Sequence, residues 1–498
     1  MGTGSGDVMI VGPYDGEEGA QSRRKFLEKS ALGFGAMALK VLLERECLGQ
    51  ERNANQSPGL PIYPLAPKPP HFPARAQRVI LIFLQGGPSH VDTFDPKPEL
   101  TRLDGQPLPA SFHSSGLNLQ FVKASETRLM ASRLPFKRRG QSGLEISGIF
   151  EELSHFADDL AIIRSCYHDT FIHGPALNLL YTGSILVGHP SVGAWVLYGL
   201  GCESDNLPAY IVMTDGTFGA RLTKNSYGAG FLPAVYQGTV IQADGTPIIN
   251  LSPALRFARN EQRMLVDQVN LWNERHADIR QDDSRLSARI ANYELAFRMQ
   301  VAAPELIDIS TESEATRRMY GLDEEATAKF GRMCLLSRRM VERGVRFVQL
   351  TSTDWDGHAD CEQNHLRNAR GIDKPIAGLL ADLKQRGLFE STLIVFTGEF
   401  GRTPVMQGKL GRDHNPYGFT SWMAGGDIKG GKVIGATDEF GFRAVEDKVH
   451  VHDLHATMLS LLGLDHRKLN VLFHGLERRL TGVGDDGSND LTPRLTRA

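Results

Sequence analysis

The chain has 498 residues, 41% hydrophobic and 8% aromatic, enough for a sizeable core in one large domain or several ordinary ones. Its 55 Lys and Arg against 58 Asp and Glu leave a formal charge of -3, which removes any global electrostatic reason to expect nucleic acid as a partner. Five cysteines without a CxxC pair argue against a disulfide framework or a cysteine-held structural zinc, and no apolar run of 18 residues is present to span a membrane.

Residues 1–21 are rich in Gly, Asp and Glu and read as disordered. Ser22-Arg23-Arg24-Lys25-Phe26-Leu27, ahead of a short apolar stretch over 30–39, has the form of a twin-arginine export address. It predicts a periplasmic or secreted protein that is exported folded, or a cytoplasmic one if the leader does not act. A basic amphipathic helix is the plain alternative. Prolines at 58, 61, 64, 67, 69, 70 and 73 mark residues 50–78 as an extended linker after a 1–49 tail and leader. The folded unit is then 79–485, with 486–498 as a disordered C-terminal tail.

Within that unit, 79–84 is a continuous apolar run ending in Gln85-Gly86-Gly87-Pro88, the pattern of a buried parallel strand entering a tight loop. Further strands are predicted at 161–164, 210–214, 346–351, 392–396 and 421–424. Helices are predicted at 330–343, at 373–386 with Ile376, Leu379, Leu380 and Leu383 on one face, and at 453–462 with Asp453 as its cap. The stretch 254–342 is charged and mostly helical and reads as an insertion on the sheet. This alternation predicts an α/β fold, a three-layer sandwich with a mostly parallel central sheet and a helical insertion.

Four segments that follow predicted strands carry the polar chemistry. Residues 85–95 hold His90 and Asp92, and 165–175 hold His168, Asp169, Thr170 and His173. Residues 353–358 hold Asp354, Asp356 and His358. The last segment, 397–403 with 412–415, holds Glu399, Arg402, Arg412, Asp413 and His414. Carboxylates and imidazoles converging from several elements are what a divalent metal needs. The expected ligands are His90, Asp92, Asp356 (or Asp354 in its place), His358, Glu399, Asp413 and His414. The expected ion is Zn2+, with Mn2+ and Ca2+ as alternatives. Paired ions would clamp the attacking and leaving oxygens of an ester, and Arg402 or Arg412 would fork onto the spare oxygens of a phosphate or sulfate. His173 stands where a helix N-terminus favours a catalytic group.

Each position also has a structural reading. Asp95-Pro96 can cap a turn, Glu399 can pair with Arg402, and Asp413 can form a turn that leaves His414 in solvent. Cys166 reads as buried filler, and Trp195 and Trp422 as core.

The same residues carry a resemblance. The run from Leu84 through Gln85-Gly86-Gly87-Pro88-Ser89-His90-Val91-Asp92-Thr93-Phe94-Asp95-Pro96-Lys97 resembles the opening motif of the DUF1501 family, a sulfatase-like family of the alkaline phosphatase superfamily. Further matches are Arg343-Gly344-Val345-Arg346-Phe347, Trp355-Asp356-Gly357-His358, Gly398-Glu399-Phe400-Gly401-Arg402-Thr403-Pro404, Gly411-Arg412-Asp413-His414-Asn415-Pro416 and Asp453-Leu454-His455-Ala456-Thr457. The resemblance runs over roughly 78–485.

It implies an alkaline phosphatase/sulfatase-like sandwich with a bimetal centre at the carboxyl ends of the strands. Asp356 (or Asp354), His358 and His414 are similar to the ligands of one ion, and Asp92 and Glu399 are the nearest matches for the other. Phe400 stands where the superfamily usually has His, so the second ion is one ligand short, to be made good by Asp413, His90 or a histidine of 165–175. Counting back from Thr182-Gly183 places His173 at the sulfatase nucleophile position and Leu177 at its arginine position, which contradicts formylglycine chemistry. Thr170, Asp169 or a metal-activated water is left as nucleophile. The implied function is metal-dependent hydrolysis of phosphate or sulfate esters on a small anionic molecule or a polysaccharide. The alternative is a non-catalytic relative that binds an anionic ligand.

Overall fold

The run Arg78–Leu84 alternates between two buried faces. Val79, Leu81 and Phe83 enter one apolar core, and Ile80, Ile82 and Leu84 enter another. A strand with no face left for water belongs inside a sheet covered by helices on both sides. The structure, a computed structural model, describes residues 64–109, 112, 127–216, 223–242, 258–279, 284–482 and 489–496. The export leader read from Arg23-Arg24 lies outside the described residues.

In chain order the strands that build the sheet and the site are β1 (Arg78–Leu84), β2 (Ala161–Tyr167), β3 (Tyr210–Thr214), β4 (Thr239–Val240), β5 (Phe347–Ser352), β6 (Thr392–Gly398), β7 (Gly401–Gln407), β8 (Gly411–Asn415), β9 (Phe419–Ala424), β10 (Lys432–Ile434) and β11 (Val449–His450). The central sheet runs β10-β2-β9-β6-β1-β5-β3-β4, with β11 also pairing with β2. β1 lies parallel between β5 and β6, with Ile82 opposite Leu350 on one side and Phe396 on the other. Only β9 is antiparallel to its neighbours β2 and β6. The expected α/β class with a mostly parallel sheet is therefore what the chain adopts.

The helices fall on both faces. α1 (His173–Thr182), α2 (Val192–Leu200) and a C-terminal helix over Val451–Leu461 supply the core that receives Phe83. The opposite face is covered by two helices, Glu325–Glu342 and Cys361–Gln385. A helical hairpin, α3 (Arg259–Ile279) and α4 (Ser284–Ile307), precedes them. We number the later three α5 (Glu325–Glu342), α6 (Cys361–Gln385) and α7 (Val451–Leu461).

Four expectations are corrected. The last part of the supposed insertion is α5, which buries Phe330, Met333, Leu336 and Met340 against the sheet and so forms part of its layer. α6 starts twelve residues before the predicted 373, because Cys361, His365, Ala369 and Ile372 continue its buried stripe beneath polar neighbours. The tail beyond 485 is docked at its described end. Leu491 and Leu495, one helical turn apart, are buried in the α1–α2–α7 core, which offsets the entropy of ordering them. Asp453 supports α7 differently from expectation, standing at the third helical position while His450 is the cap. Its carboxylate accepts from the His450 N–H at 2.7 Å.

Candidate metal centre

The loops after β1, β5 and β6 meet at the carboxyl edge of the sheet. Their close approach depends on two glycines with positive φ. A β-carbon at Gly86 (φ 121°) would lie 2.4 Å from the Asp356 nitrogen, and one at Gly87 (φ 80°) would lie 2.5 Å from the Phe400 ring. The Trp355 N–H donates to the Gln85 carbonyl at 3.0 Å, so the β1 and β5 loops are tied by backbone just ahead of Asp356. The segments carrying Arg402 and His414, expected as loops, are the antiparallel hairpin β7–β8 with His414 opposite Arg402. Its polar sequence concealed the strands, although Gly401, Arg402, Thr403, Arg412 and Asp413 are all buried.

Four side chains from these elements converge: His173 at the first turn of α1, Asp356 and His358 after β5, and His414 on β8. Each offers a ligand atom within 4.8 Å of those of the others. The Asp356 carboxylate is 3.1 Å from His173 Nε2, 3.0 Å from His358 Nε2 and 3.4 Å from His414 Nε2. His358 Nε2 and His414 Nε2 are 2.9 Å apart.

The far side of each ring identifies its proton. His414 Nδ1 is 2.8 Å from the Phe171 carbonyl and His173 Nδ1 is 2.7 Å from Glu399 Oε1, so both Nδ1 atoms must donate. His358 Nδ1 is 2.6 Å from Gln407 Oε1, paired in the same sense. In the neutral rings all three Nε2 atoms then carry lone pairs, aimed at a carboxylate and at one another. Acceptors facing acceptors need a cation among them, either protons or a metal.

The electrostatics agree. Burial pushes Asp356 up, but hydrogen bonds with His173, His358 and His414 and the Arg402 charge hold it far below the usual carboxylate range. Burial lowers His173, and its bonds to Asp356 and Glu399 outweigh this and raise it above the ordinary imidazole value. The bond to Asp356 raises His358. His414 is lowered, chiefly by burial. The raised His173 and His358 values make protons on these rings the alternative to an ion as the source of positive charge in the cluster.

The other predicted residues surround this group or stand apart from it. Glu399 lies outside the four-residue group and bonds Gly86 and His173 rather than Arg402. Its carboxylate, fully buried, accepts from the Gly86 N–H at 2.8 Å and from His173. Arg402 bonds Asp356 and the carbonyls of Gly86, Gly87 and Arg412, which commits its fork inward. Arg412 grips Asp92 through two nitrogens at 2.7 and 3.1 Å and donates to the Thr403 carbonyl. Burial raises Asp92, but Arg412 overrides this and leaves it below its ordinary value.

His90 donates from Nε2 to the Gly441 carbonyl at 2.7 Å, and burial lowers its pKa to about 4. Asp413 forms no turn: it lies in β8 where the register shifts between Arg412 and His414, and its carboxylate accepts from the His414 N–H at 2.8 Å. Asp354 is exposed and pairs with Arg367, and Asp169 is exposed with His450 Nε2 4.0 Å from its carboxylate. The Thr170 N–H donates to His168 Nδ1 at 3.2 Å. Among the described residues, the carboxylates assigned by resemblance to a second ion thus serve Arg412 and His173. The Phe400 ring lies where that ion's histidine was expected and packs on His414 at 4.4 Å and His173 at 4.9 Å.

Sequence reasoning missed Gln407, which orients His358, and the part of His168, which bonds the Glu399 carbonyl through Nε2. Gln407 carries no signal in the chain, because its relation to His358 exists only between the loop after β5 and the end of β7.

No curated protein matches the chain by sequence. Among solved structures, a sulfatase from Pseudoalteromonas sp. is similar at 16% identity with a TM-score of 0.33, over 84% of this chain and 74% of that one. A lipoteichoic acid synthase from Listeria monocytogenes is similar at 10% identity and TM-score 0.35, over 80% and 76%. A phosphonate monoester hydrolase from Silicibacter pomeroyi is similar at 12% identity and TM-score 0.33, over 78% and 73%. The family described as "Protein of unknown function (DUF1501)" matches residues 76–490, and the chain belongs to it.

Proposed function

We propose that this protein is a metal-dependent hydrolase of phosphate or sulfate esters, with one divalent ion held by His173, Asp356, His358 and His414. The observation that carries the proposal is the convergence of three Nε2 lone pairs on one carboxylate, each ring fixed from behind by its Nδ1 bond. Tetrahedral zinc with bonds of about 2.0–2.1 Å has ligands about 3.3 Å apart. Four of the separations among Asp356 and the histidines, at 2.9–3.4 Å, match that spacing, and all four ligand atoms lie within 4.8 Å of one another. Three imidazoles and one carboxylate suit zinc, whereas calcium takes oxygen ligands and does not match.

When bound, such an ion supplies Lewis acidity and makes a water nucleophilic near neutral pH. The chain's own residues do the rest. Glu399 keeps His173 in the Nδ1–H tautomer, and Arg402 keeps Asp356 ionised and in place. Phe400 walls one side of the imidazoles, and His358, the most exposed of the four, marks the side open to substrate. All three nitrogens of Arg402 and of Arg412 donate inward and both side chains are buried, so an anionic ester would find its positive charge at the ion. The same commitment weighs against a metal-free protein that merely binds an anion. Water as nucleophile replaces formylglycine, with Thr170 and Asp169 as the side-chain alternatives. Export through the Arg23-Arg24 leader would place this activity in the periplasm or outside the cell, on a small or polysaccharide ester.

Elemental analysis of the purified full chain, alone and as His358→Ala, tests the first half of the proposal. One equivalent of zinc in the parent and its loss in the variant is expected. Metal-replete protein without bound ion would overturn the reading. A panel of phosphate monoesters, phosphate diesters and aryl sulfates, assayed with added Zn2+ and Mn2+, tests the second half. Turnover abolished by His358→Ala is expected, and stoichiometric metal without turnover on any class would leave a binding protein.

A further inference from the structure

The three most exposed large apolar side chains among the described residues are Leu472 (72%), Val187 (68%) and Leu186 (64%), followed nearby by Ile185 (52%) and Leu476 (45%). A run of three exposed apolar residues costs solubility and marks a contact surface. Leu472 and Leu476 belong to a short hairpin, β12 (Val471–Phe473) and β13 (Leu476–Arg478), in which Phe473 pairs with Leu476.

The hairpin and the 185–187 loop are neighbours. Phe473 stacks on Phe231 at 4.7 Å, and Phe231 also takes the edge of His189, two residues beyond Val187, at 5.5 Å. The Arg478 charge reaches His189, helping burial to lower its pKa. On the other side of the loop, Gly183 abuts the Leu480 carbonyl so closely that a β-carbon there would lie 1.7 Å from the oxygen. Both segments are therefore held firmly from behind while their apolar tips project.

The charge around them runs against that of the whole chain. Residues 183–190 contain no charged side chain, and residues 465–480 hold Arg467, Lys468, Arg478 and Arg479 against Asp465 and Glu477. His466 Nδ1 lies 3.0 Å from Thr481 Oγ1, which ties the two ends of this segment together, and Lys468 pairs with Asp465 at 3.8 Å. With four cations against two acids in its sequence, the segment forms a collar of net positive formal charge behind the apolar tips.

We propose that the 185–187 loop and the β12–β13 hairpin form a contact site for an anionic lipid surface. The aliphatic tips enter the acyl boundary and the basic collar meets the phosphate headgroups. No described helix is long and apolar enough to cross a membrane, so the contact is made at the surface. The ten-residue helix α1, about 15 Å long, separates this patch from His173, so substitutions in it leave the metal centre intact.

The test is sedimentation of the full chain with vesicles of phosphatidylcholine, alone or mixed with phosphatidylglycerol. Partitioning into the mixed vesicles should exceed that into neutral ones by roughly tenfold, and should fall as salt screens the collar. Leu186→Asp combined with Leu472→Asp should lower it by at least about tenfold, since both burial and charge are lost. Lys468→Glu should remove only part of the salt-sensitive component. Circular dichroism of each variant checks the fold, which exposed positions leave unchanged. Absent partitioning, or equal partitioning of parent and double variant, overturns the proposal. So does a dimer in light scattering that the double variant dissolves while vesicle binding stays absent.

Discussion

Asp92, in a one-turn helix over His90–Thr93, and Asp356, in the loop after β5, stand at the same edge of the sheet, and each touches an arginine of the β7–β8 hairpin. Asp92 is gripped by two nitrogens of Arg412 and by the Ser89 hydroxyl, which satisfies it with a permanent cation. Asp356 receives one bond from Arg402 and faces three imidazoles whose outer nitrogens are already used. The first carboxylate is electrically complete. The second lies in a group that is complete only with added positive charge. The difference teaches that buried acid at a sheet edge does not by itself indicate an ion, because a guanidinium can close the same balance.

The largest expected effect comes from Asp356→Ala. Titration of the metal-stripped protein with zinc should show affinity weakened by more than about 100-fold, as a shared ligand is lost. Denaturant unfolding should show a loss of about 3–5 kcal/mol from stranding Arg402. Asp92→Asn should cost a similar 3–5 kcal/mol by leaving Arg412 buried and unpaired, yet bind zinc as the parent does. Loss of zinc in that variant would erase the distinction between the two centres. Glu399→Gln should weaken zinc binding by roughly 10–100-fold with the fold retained, since it alters only the support of His173.

The comparison is sharpened by pH. His173 and His358 have raised folded pKa values, so in metal-free protein their contribution is complete below the unfolded value of about 6.5 and is lost as pH climbs through the folded values. His414, lowered by burial, acts oppositely and only as pH falls below about 6.5. Thermal melts of metal-free protein should therefore decline upward from about pH 6.5, while zinc affinity rises over the same interval because ion and proton compete for Nε2. A flat zinc affinity there would refute the competition. The smallest effect belongs to Asp354→Asn, which keeps a residue that tolerates φ 76°; the lost exposed pair with Arg367 should be worth less than about 0.5 kcal/mol and leave zinc content unchanged.

The chain alone determined the sheet and much of the cast of the site. β1, β3 and β6 were legible because wholly apolar runs have few places to go but the middle of a covered sheet. His173, His358 and His414 were legible because they stand beside strand ends and a helix start. The local sequence could not choose between Asp354 and Asp356. Tertiary structure chose, since the backbone turns through φ 76° at Asp354 and leaves its side chain with Arg367 in solvent. The partners of Asp92 and Glu399, the hairpin under Arg402 and the part played by Gln407 were likewise decided in space. Apolar periodicity records which face of an element is buried. Which polar atoms meet there depends on contacts between segments tens to hundreds of residues apart, and no local pattern carries that information.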